Sequence, residues 1–413
     1  MPEKTPLQSG SIFKWIVMIL FVSGCSSSAL VVSFPPYIAP ATPDSMLVVG
    51  YYPTWAAEDN EGYQVQDIPA HLLTHVNLAF ADVDSTDGTV KVGFPDLDLP
   101  KRGRRSRTGN FEILKRLREH NPHLKALISV GGWTWSAHFS EAARTADSRK
   151  RFAESAAAFV VEHGFDGVDI DWEYPASDGL QPGYARDTRN FTLFLKALRE
   201  ELDRVGQENE THYLLTIAAP ASVEMARRME LDQIHLYLDW INVMTYDFAG
   251  SWSEQTNFNA PLFSTTSEPQ PADSSLKQAN VHDAMQTYLD GGIPPGKLVV
   301  GVPFFGKSWK GVADENDGLY QENEGLARMS TTWHQVSTKY KEMEHFWHDE
   351  AQVPWLFDRE NGVMITYENP RSVELKGEYI ATKGFAGAMF WELTGDTFRN
   401  ELLSALLRGM SGN

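Results

Sequence analysis

Residues 166–175 read Asp-Gly-Val-Asp-Ile-Asp-Trp-Glu-Tyr-Pro, with acids on alternate positions. As a strand, period two puts Asp169, Asp171 and Glu173 on one face and Val168, Ile170 and Trp172 on the other. The apolar face meets packed helices, so the acids point inward. Three carboxylates on alternate residues of a buried strand cannot all ionise cheaply, because low dielectric and like charge each raise a carboxyl pKa. At least one should hold a proton near neutral pH. A protonated carboxylic acid aimed out of a barrel mouth is what cleavage of a glycosidic bond requires, since the leaving oxygen must receive a proton. Glu173, last on the strand and nearest its C-terminal rim, is the expected donor. Acids at this spacing could instead ligate a divalent cation, but the neighbourhood offers no complementary His or Asn pattern. His345 and His348 flank Trp347 with no cysteine beside them. No metal and no cofactor are expected. A purely structural role has little to offer, because unpaired acids inside a fold destabilise it.

Such a strand needs neighbours. From Met46 onward, short apolar segments alternate with amphipathic ones, the pattern of a parallel sheet with helical crossovers. The predicted strands are 47–51, 75–81, 126–130, 167–173, 213–219, 240–246, 298–303 and 385–391. Eight close a barrel, so the expected class is α/β, a (β/α)8 TIM barrel over 46–413. Phe152, Ala156, Phe159 and Val160 fall at helical spacing before His163-Gly164, a terminal cation followed by a glycine stop. Phe191, Leu195, Leu198 and Leu202 repeat the pattern, as do Phe398, Leu402, Ala405 and Leu406; these are core faces. Residues 304–384 separate the seventh and eighth strands, far more than a barrel unit needs, which predicts a small α+β insertion domain over 309–383. Its Trp333, Trp347, Trp355 and Tyr367 either wall a cleft at the C-terminal strand ends or form the small domain's own core, the simpler reading for each taken singly.

Asp166, Gly167, Asp169, Asp171 and Glu173 match Asp-Gly-x-Asp-x-Asp-x-Glu, and here the chain resembles the family 18 glycoside hydrolases, chitinases and their relatives, which carry that signature on the fourth barrel strand. Four further segments agree in order: Gly50-Tyr51-Tyr52 with the first strand, Ser129-Val130-Gly131-Gly132-Trp133 with the third, Met244-Thr245-Tyr246-Asp247 with the sixth, and Ala388-Met389-Phe390-Trp391-Glu392 with the eighth. The resemblance implies hydrolysis of β-1,4-linked N-acetylglucosamine polymers, chitin or its oligomers, by a retaining, substrate-assisted route that departs from the two-carboxylate scheme. It implies Glu173 as general acid and later base. Asp171 would accept from the acetamido N–H and stabilise the oxazolinium-type intermediate, with Asp169 holding it and sharing its charge or proton. Tyr246 would donate to the acetamido oxygen. Substrate contacts carried over by position are Tyr51, Phe80, Gly132, Trp133, Met244, Asp247, Trp252 and the stacking floor Trp391. Phe305 and Lys307 stand where many relatives carry Tyr and Arg: Phe305 lacks the hydroxyl, and Lys307 lacks the fork geometry of Arg. Relatives acting on peptidoglycan or on N-glycan chitobiose are the enzymatic alternative. A non-catalytic chitin-binding lectin is the other class, though such relatives lose the terminal glutamate that Glu173 supplies.

Composition agrees. Thirty-six basic against 55 acidic residues give −19 with His neutral, which argues against a nucleic-acid partner. Twelve Trp and 14 Tyr exceed what a core alone requires, and pyranose rings stack on flat aromatic faces. One cysteine cannot form an internal disulfide. Residues 15–22 form an apolar run too short for a membrane span of roughly 20 residues but of secretory size. Cys25 follows Val22-Ser23-Gly24, which resembles the bacterial lipobox. The resemblance implies a lipoprotein signal peptide over 1–24, a lipidated Cys25 opening a Ser/Pro-rich tether over 25–45, and export to the cell envelope. Ser26 implies retention at the outer membrane of a Gram-negative cell. The basic run 101–107 is expected to be a solvated loop, and the protein a monomer.

Overall fold

The computed structural model describes residues 46–58, 62–101, 107–269 and 279–412. Cys25, the signal peptide, the tether and residues 102–106 of the basic run lie outside the described residues. In chain order the strands are β1 (Leu47–Pro53), β2 (His75–Val83), β3 (Val90–Val92), β4 (Lys125–Gly131), β5 (Gly167–Asp171), β6 (Leu214–Pro220) and β7 (Trp240–Met244). There follow β8 (Leu298–Pro303), β9 (Lys307–Trp309), β10 (Glu344–His348), β11 (Val353–Asp358), β12 (Val363–Thr366) and β13 (Gly387–Trp391). Strands β1, β13, β8, β7, β6, β5, β4 and β2 are hydrogen-bonded in that parallel order, and β1 pairs with β2 to close a TIM barrel. The short β3 adds antiparallel to β2.

Period two sorts the side chains. Along β1, Val48 and Tyr52 join the large core between barrel and helices, while Val49 and Tyr51 fill the barrel interior. Along β5, Val168 and Ile170 face the helices and Asp169 lies fully buried on the inner side. The helix Ala146–His163 shows how the outer layer is made. Thr145 and Ser148 form a capping box at its start, and Gly164 at φ 73° ends it in the left-handed conformation that glycine adopts at little cost. Its buried stripe is Phe152, Ala153, Ala156, Ala157, Phe159 and Val160, and each large apolar side chain so buried stabilises by about 1.5–3 kcal/mol. Among the described residues, no helix is long and apolar enough to cross a membrane.

Between β8 and β13 the strands β10, β11, β12 and β9 form a four-stranded antiparallel sheet accompanied by the helix Trp333–Lys339. This unit starts at Lys307, and it is shorter than the predicted 309–383. The helix Pro370–Lys383 belongs to the barrel instead: its Val373, Tyr379 and Ile380 enter the main core, and it packs against the C-terminal helix Glu401–Ser411. Two glycines allow that contact, for a Cβ on Gly377 would lie 2.5 Å from the Leu406 carbonyl oxygen and one on Gly409 2.0 Å from that of Glu374. Helical periodicity alone could not separate a crossover helix from the insertion before it. Trp355 and Tyr367 are buried in the small unit's own clusters, Trp333 donates to Glu401 at 3.0 Å, and Trp347 lies under the Arg371 guanidinium.

At the head of the helix Pro370–Lys383, Lys376 and Glu368 form a buried ion pair at 2.7 Å, with Ser372 also donating to Glu368 at 2.6 Å. Removing one partner strands the other charge in the interior. Lys376→Met is expected to lower stability by roughly 3–5 kcal/mol near neutral pH in urea denaturation. Burial already pushes the Glu368 carboxyl up, so the deficit should shrink as the pH falls toward its unfolded-state value of about 4.3, where it enters the fold protonated.

Candidate active site

The C-terminal strand ends surround a cavity of about 1680 Å³. At its base lies Asp169, with one donor from each of four strands. Tyr51 of β1 and Ser129 of β4 donate to Oδ2 at 2.7 and 2.8 Å; Thr216 of β6 and Asn242 of β7 donate to Oδ1 at 2.6 and 3.2 Å. Register explains the convergence, because Ser129, Asp169 and Thr216 are direct partners across β4, β5 and β6. Burial raises the Asp169 carboxyl pKa and these donors oppose it. Asp171, one step nearer the mouth, is buried without such help, and its Oδ1 has no hydrogen-bond partner. Its pKa is pushed well above the ordinary value, first by burial and then by Glu173 and Asp169. Both acids are thus pushed up, and hydrogen-bond donors oppose the rise at Asp169 alone.

Glu173 lies beyond the end of β5 rather than on it, because β5 stops at Asp171. The turn after β4 replaces the missing ladder: the Gly132 N–H donates to the Asp171 carbonyl at 2.8 Å, and the Glu173 N–H donates to Ser136 Oγ at 2.8 Å. Gly131 and Gly132 have φ of 110° and 80°, and a Cβ on Gly132 would lie 2.7 Å from the Phe80 ring, so only glycine serves. Burial raises the Glu173 carboxyl to about 7, opposed by a hydrogen bond from Tyr174 and assisted by the Asp247 charge. Asp171 and Glu173 repel as anions, and the pair keeps a proton near neutral pH.

Most of the sequence-predicted contacts border this cavity. Tyr51, Phe80 and Trp391 form one wall, with Trp391 5.6 Å from Tyr51 and stacked on Phe80 at 5.7 Å. Met244, Tyr246 and Asp247 line it from the end of β7. Burial, then Asp171, pushes the Tyr246 hydroxyl well up, so it stays protonated as a donor; it meets only the Met389 sulfur, at 3.9 Å. Trp133 after β4 and Trp252 after β7 stand three strands apart in barrel order, 48% and 63% exposed, with faces free to stack on a ligand. Asp169 lies beneath the cavity and Gly132 acts through its turn; neither is a lining residue. The insertion's Trp333, Trp347, Trp355 and Tyr367 do not line it, because they pack within their own unit or against the barrel helices. The aromatic wall comes from elsewhere. Trp55, Phe94 and Trp135 continue from Phe80, with Trp55 6.3 Å from Phe80 and 5.5 Å from Phe94, and Phe94 4.9 Å from Trp135. These three, with Tyr174, were not predicted. Trp55 sits in the short 3-10 helix Thr54–Glu58 and the others in turns and loops, where no periodicity marks a face, and the aromatic surplus in the composition is their only trace.

The model of glycosyl hydrolases family 18 matches residues 47–396. Chitinase A1 of Niallia circulans is 39% identical over 92% of this chain, which spans 62% of that longer protein. Chitinase 1 of Aphanocladium album is 33% identical over 83% of this chain and 80% of its own length. Among solved structures, chitinase ChiA74 from Bacillus thuringiensis superposes with a TM-score of 0.81 at 36% identity, covering 89% of this chain and 70% of that one. A family 18 N-acetylglucosaminidase from Paenibacillus barengoltzii gives a TM-score of 0.76 at 32% identity, covering 88% and 99%. A barrel mouth built round three inward acids and a family match over nearly the whole described body agree: the chain belongs to glycosyl hydrolases family 18.

Proposed function

We propose that the protein is a chitinase that hydrolyses β-1,4-linked N-acetylglucosamine polymers or oligomers with retention, using the substrate's own acetamido group as nucleophile. The observation that carries this reading is the contrast along β5: one acid saturated with donors, one without, and a third at the mouth that holds a proton near pH 7. With the shared proton on Glu173, the acid is ready to protonate the leaving oxygen and Asp171 is anionic. Asp171 then accepts from the acetamido N–H and faces the positive charge that develops as the acetamido oxygen closes on the anomeric carbon. Asp169 stays charged beneath it, which favours that cation further. Tyr246 exchanges a weak sulfur acceptor for the acetamido oxygen and so orients the attacking atom. After the leaving sugar departs, Glu173 is a carboxylate and takes a proton from the water that opens the ring intermediate. Trp391 is the floor beneath the reacting sugar, and Trp133 and Trp252 are stacking faces for its neighbours. The names of the relatives, chitinases of bacterial and fungal origin, support the same substrate class.

We also propose export and anchoring through a lipid on Cys25 at the cell envelope, supported by residues 15–25.

Incubation with a soluble chito-oligosaccharide, followed by ¹H NMR, should show cleavage with the β-anomer formed first; α-anomer first would reject retention. Glu173→Gln should cut turnover by about a thousandfold while oligosaccharide still binds, as titration calorimetry would show. For pH, the general acid must be protonated: activity should hold below the Glu173 value of about 7 and fall as pH rises through it. A kcat profile flat from pH 6 to 9 would count against Glu173 as the acid. Cys25→Ser, expressed from the full chain in a Gram-negative host, should move the protein from the membrane fraction to the soluble one.

A further inference from the structure

The departures at Phe305 and Lys307 lie inside the candidate active site. Lys307 opens β9, the first strand of the insertion sheet, and lines the same cavity as Asp171 and Glu173. Its Nζ is 2.6 Å from Asp247 Oδ1 and 5.0 Å from the Phe305 ring centroid, and Phe305 in turn meets Tyr246 edge-to-face at 5.7 Å. Asn259 locks the two partners together. Its Oδ1 accepts the Asp247 N–H at 3.2 Å, where Asp247 sits at φ 57°, and its Nδ2 donates to the Phe305 carbonyl at 3.2 Å. The Asn259 N–H donates to Thr366, the register partner of Lys307 on β12, at 3.1 Å.

We propose that Lys307 is a positioning residue for the acid–base step: the insertion sheet delivers its ammonium to hold Asp247 in place and to cancel the field that Asp247 would otherwise put on Glu173. This rests on the role proposed above for Glu173. The charged and titratable groups facing Glu173 are Asp171 and Tyr174 from its own strand end, Tyr246 and Asp247 from the end of β7, and Lys307 from β9. Asp178 lines the same cavity from the loop that follows. Farther round the lining, Arg228 is taken up by Glu224 and by the Ala176 carbonyl oxygen, and Arg227 and Asp283 complete the charged groups. Among the described residues, Lys307 is thus the cation paired to a carboxylate of the catalytic cluster. The Lys307 side chain is 20% exposed and that of Asp247 44%, so the ammonium is set into the cavity wall while the carboxylate stays open to solvent, which screens part of its field.

The sign follows from the charges. Asp247 favours the protonated form of Glu173. With Lys307 present, the pair is neutral; without it, an uncompensated anion remains and Glu173 keeps its proton to higher pH. The alkaline limb of kcat should rise by about half to one pH unit in Lys307→Met. Lys307→Gln, which keeps a donor toward Asp247 but loses the charge, should shift alike and serves if the Met variant folds poorly. Lys307→Arg should leave the limb in place. The same shift should appear in the Glu173 carboxyl titration followed by ¹³C NMR, its resonance identified by Glu173→Gln, so the readout survives loss of turnover. An unmoved or lowered titration in the folded neutral variants overturns the proposal, as does an Arg variant that shifts as far as Met. Failure of the underlying reading looks different: in that case the wild-type kcat profile would not follow the Glu173 titration at all.

Discussion

Four hydrogen bonds to one buried carboxylate hold this molecule's architecture and chemistry together. Asp169 sits inside a closed barrel, where an isolated charge costs several kcal/mol, and each donor to a charged group returns about 1.5–3 kcal/mol. Four such donors offset the burial only if four strands deliver them at once. Tyr51, Ser129, Thr216 and Asn242 come from β1, β4, β6 and β7, so the donors that hold Asp169 exist together only in the closed barrel. The strand-end motifs read from the sequence thereby acquire a physical reason. The tyrosine of the first and the serine of the third are donors to this acid, and the paired glycines let the turn close over the end of β5.

The same constraint sets the proton. Four donors oppose the rise that burial imposes on Asp169, and at Asp171 no donor does. The gradient from Asp169 through Asp171 to Glu173 is thus a consequence of how many donors the surrounding strands can aim at each level of the barrel. One level up, Asp171 Oδ1 has no partner, and Glu173 beyond it has only Tyr174 against its burial. A carboxyl group so placed titrates near neutrality, which is where a general acid operating on a neutral substrate is most effective.

What the sequence makes legible here is whatever has a period. The alternation of acids and apolar residues in 166–175 puts Asp169 and Asp171 on the inner face of β5, and eight apolar segments are enough to expect a barrel. The features it conceals are those made by chain segments with no repeat. Glu173 was read as the last residue of a strand, but it belongs to a turn held by Ser136, and only a tertiary contact could show that. Trp55, Phe94 and Trp135 form a wall from separate loops, each unremarkable alone. The insertion's own aromatics are the more visible cluster, yet the small unit's core claims Trp355 and Tyr367, and Trp333 and Trp347 pack toward the barrel helices. The helix 370–383 shows the same limit, because its apolar stripe says that it packs and not on what.

The insertion reaches the chemistry through its edge rather than its core. Strand β9 leaves the barrel directly after β8, and Asn259 binds the exit of β7 to Phe305 and to β12, so side-chain-to-backbone hydrogen bonds tie the small sheet to the loops at the cavity. A residue at the start of β9 therefore has a fixed position relative to Asp247 even though it belongs to a separately packed unit. An arginine at that place brings a planar fork suited to two acceptors, whereas lysine brings a compact charge suited to one. With Asp247 as that acceptor, either residue leaves the pair with no net charge. On the proposal made above, what reaches Glu173 from this side is the charge of the pair and not its shape.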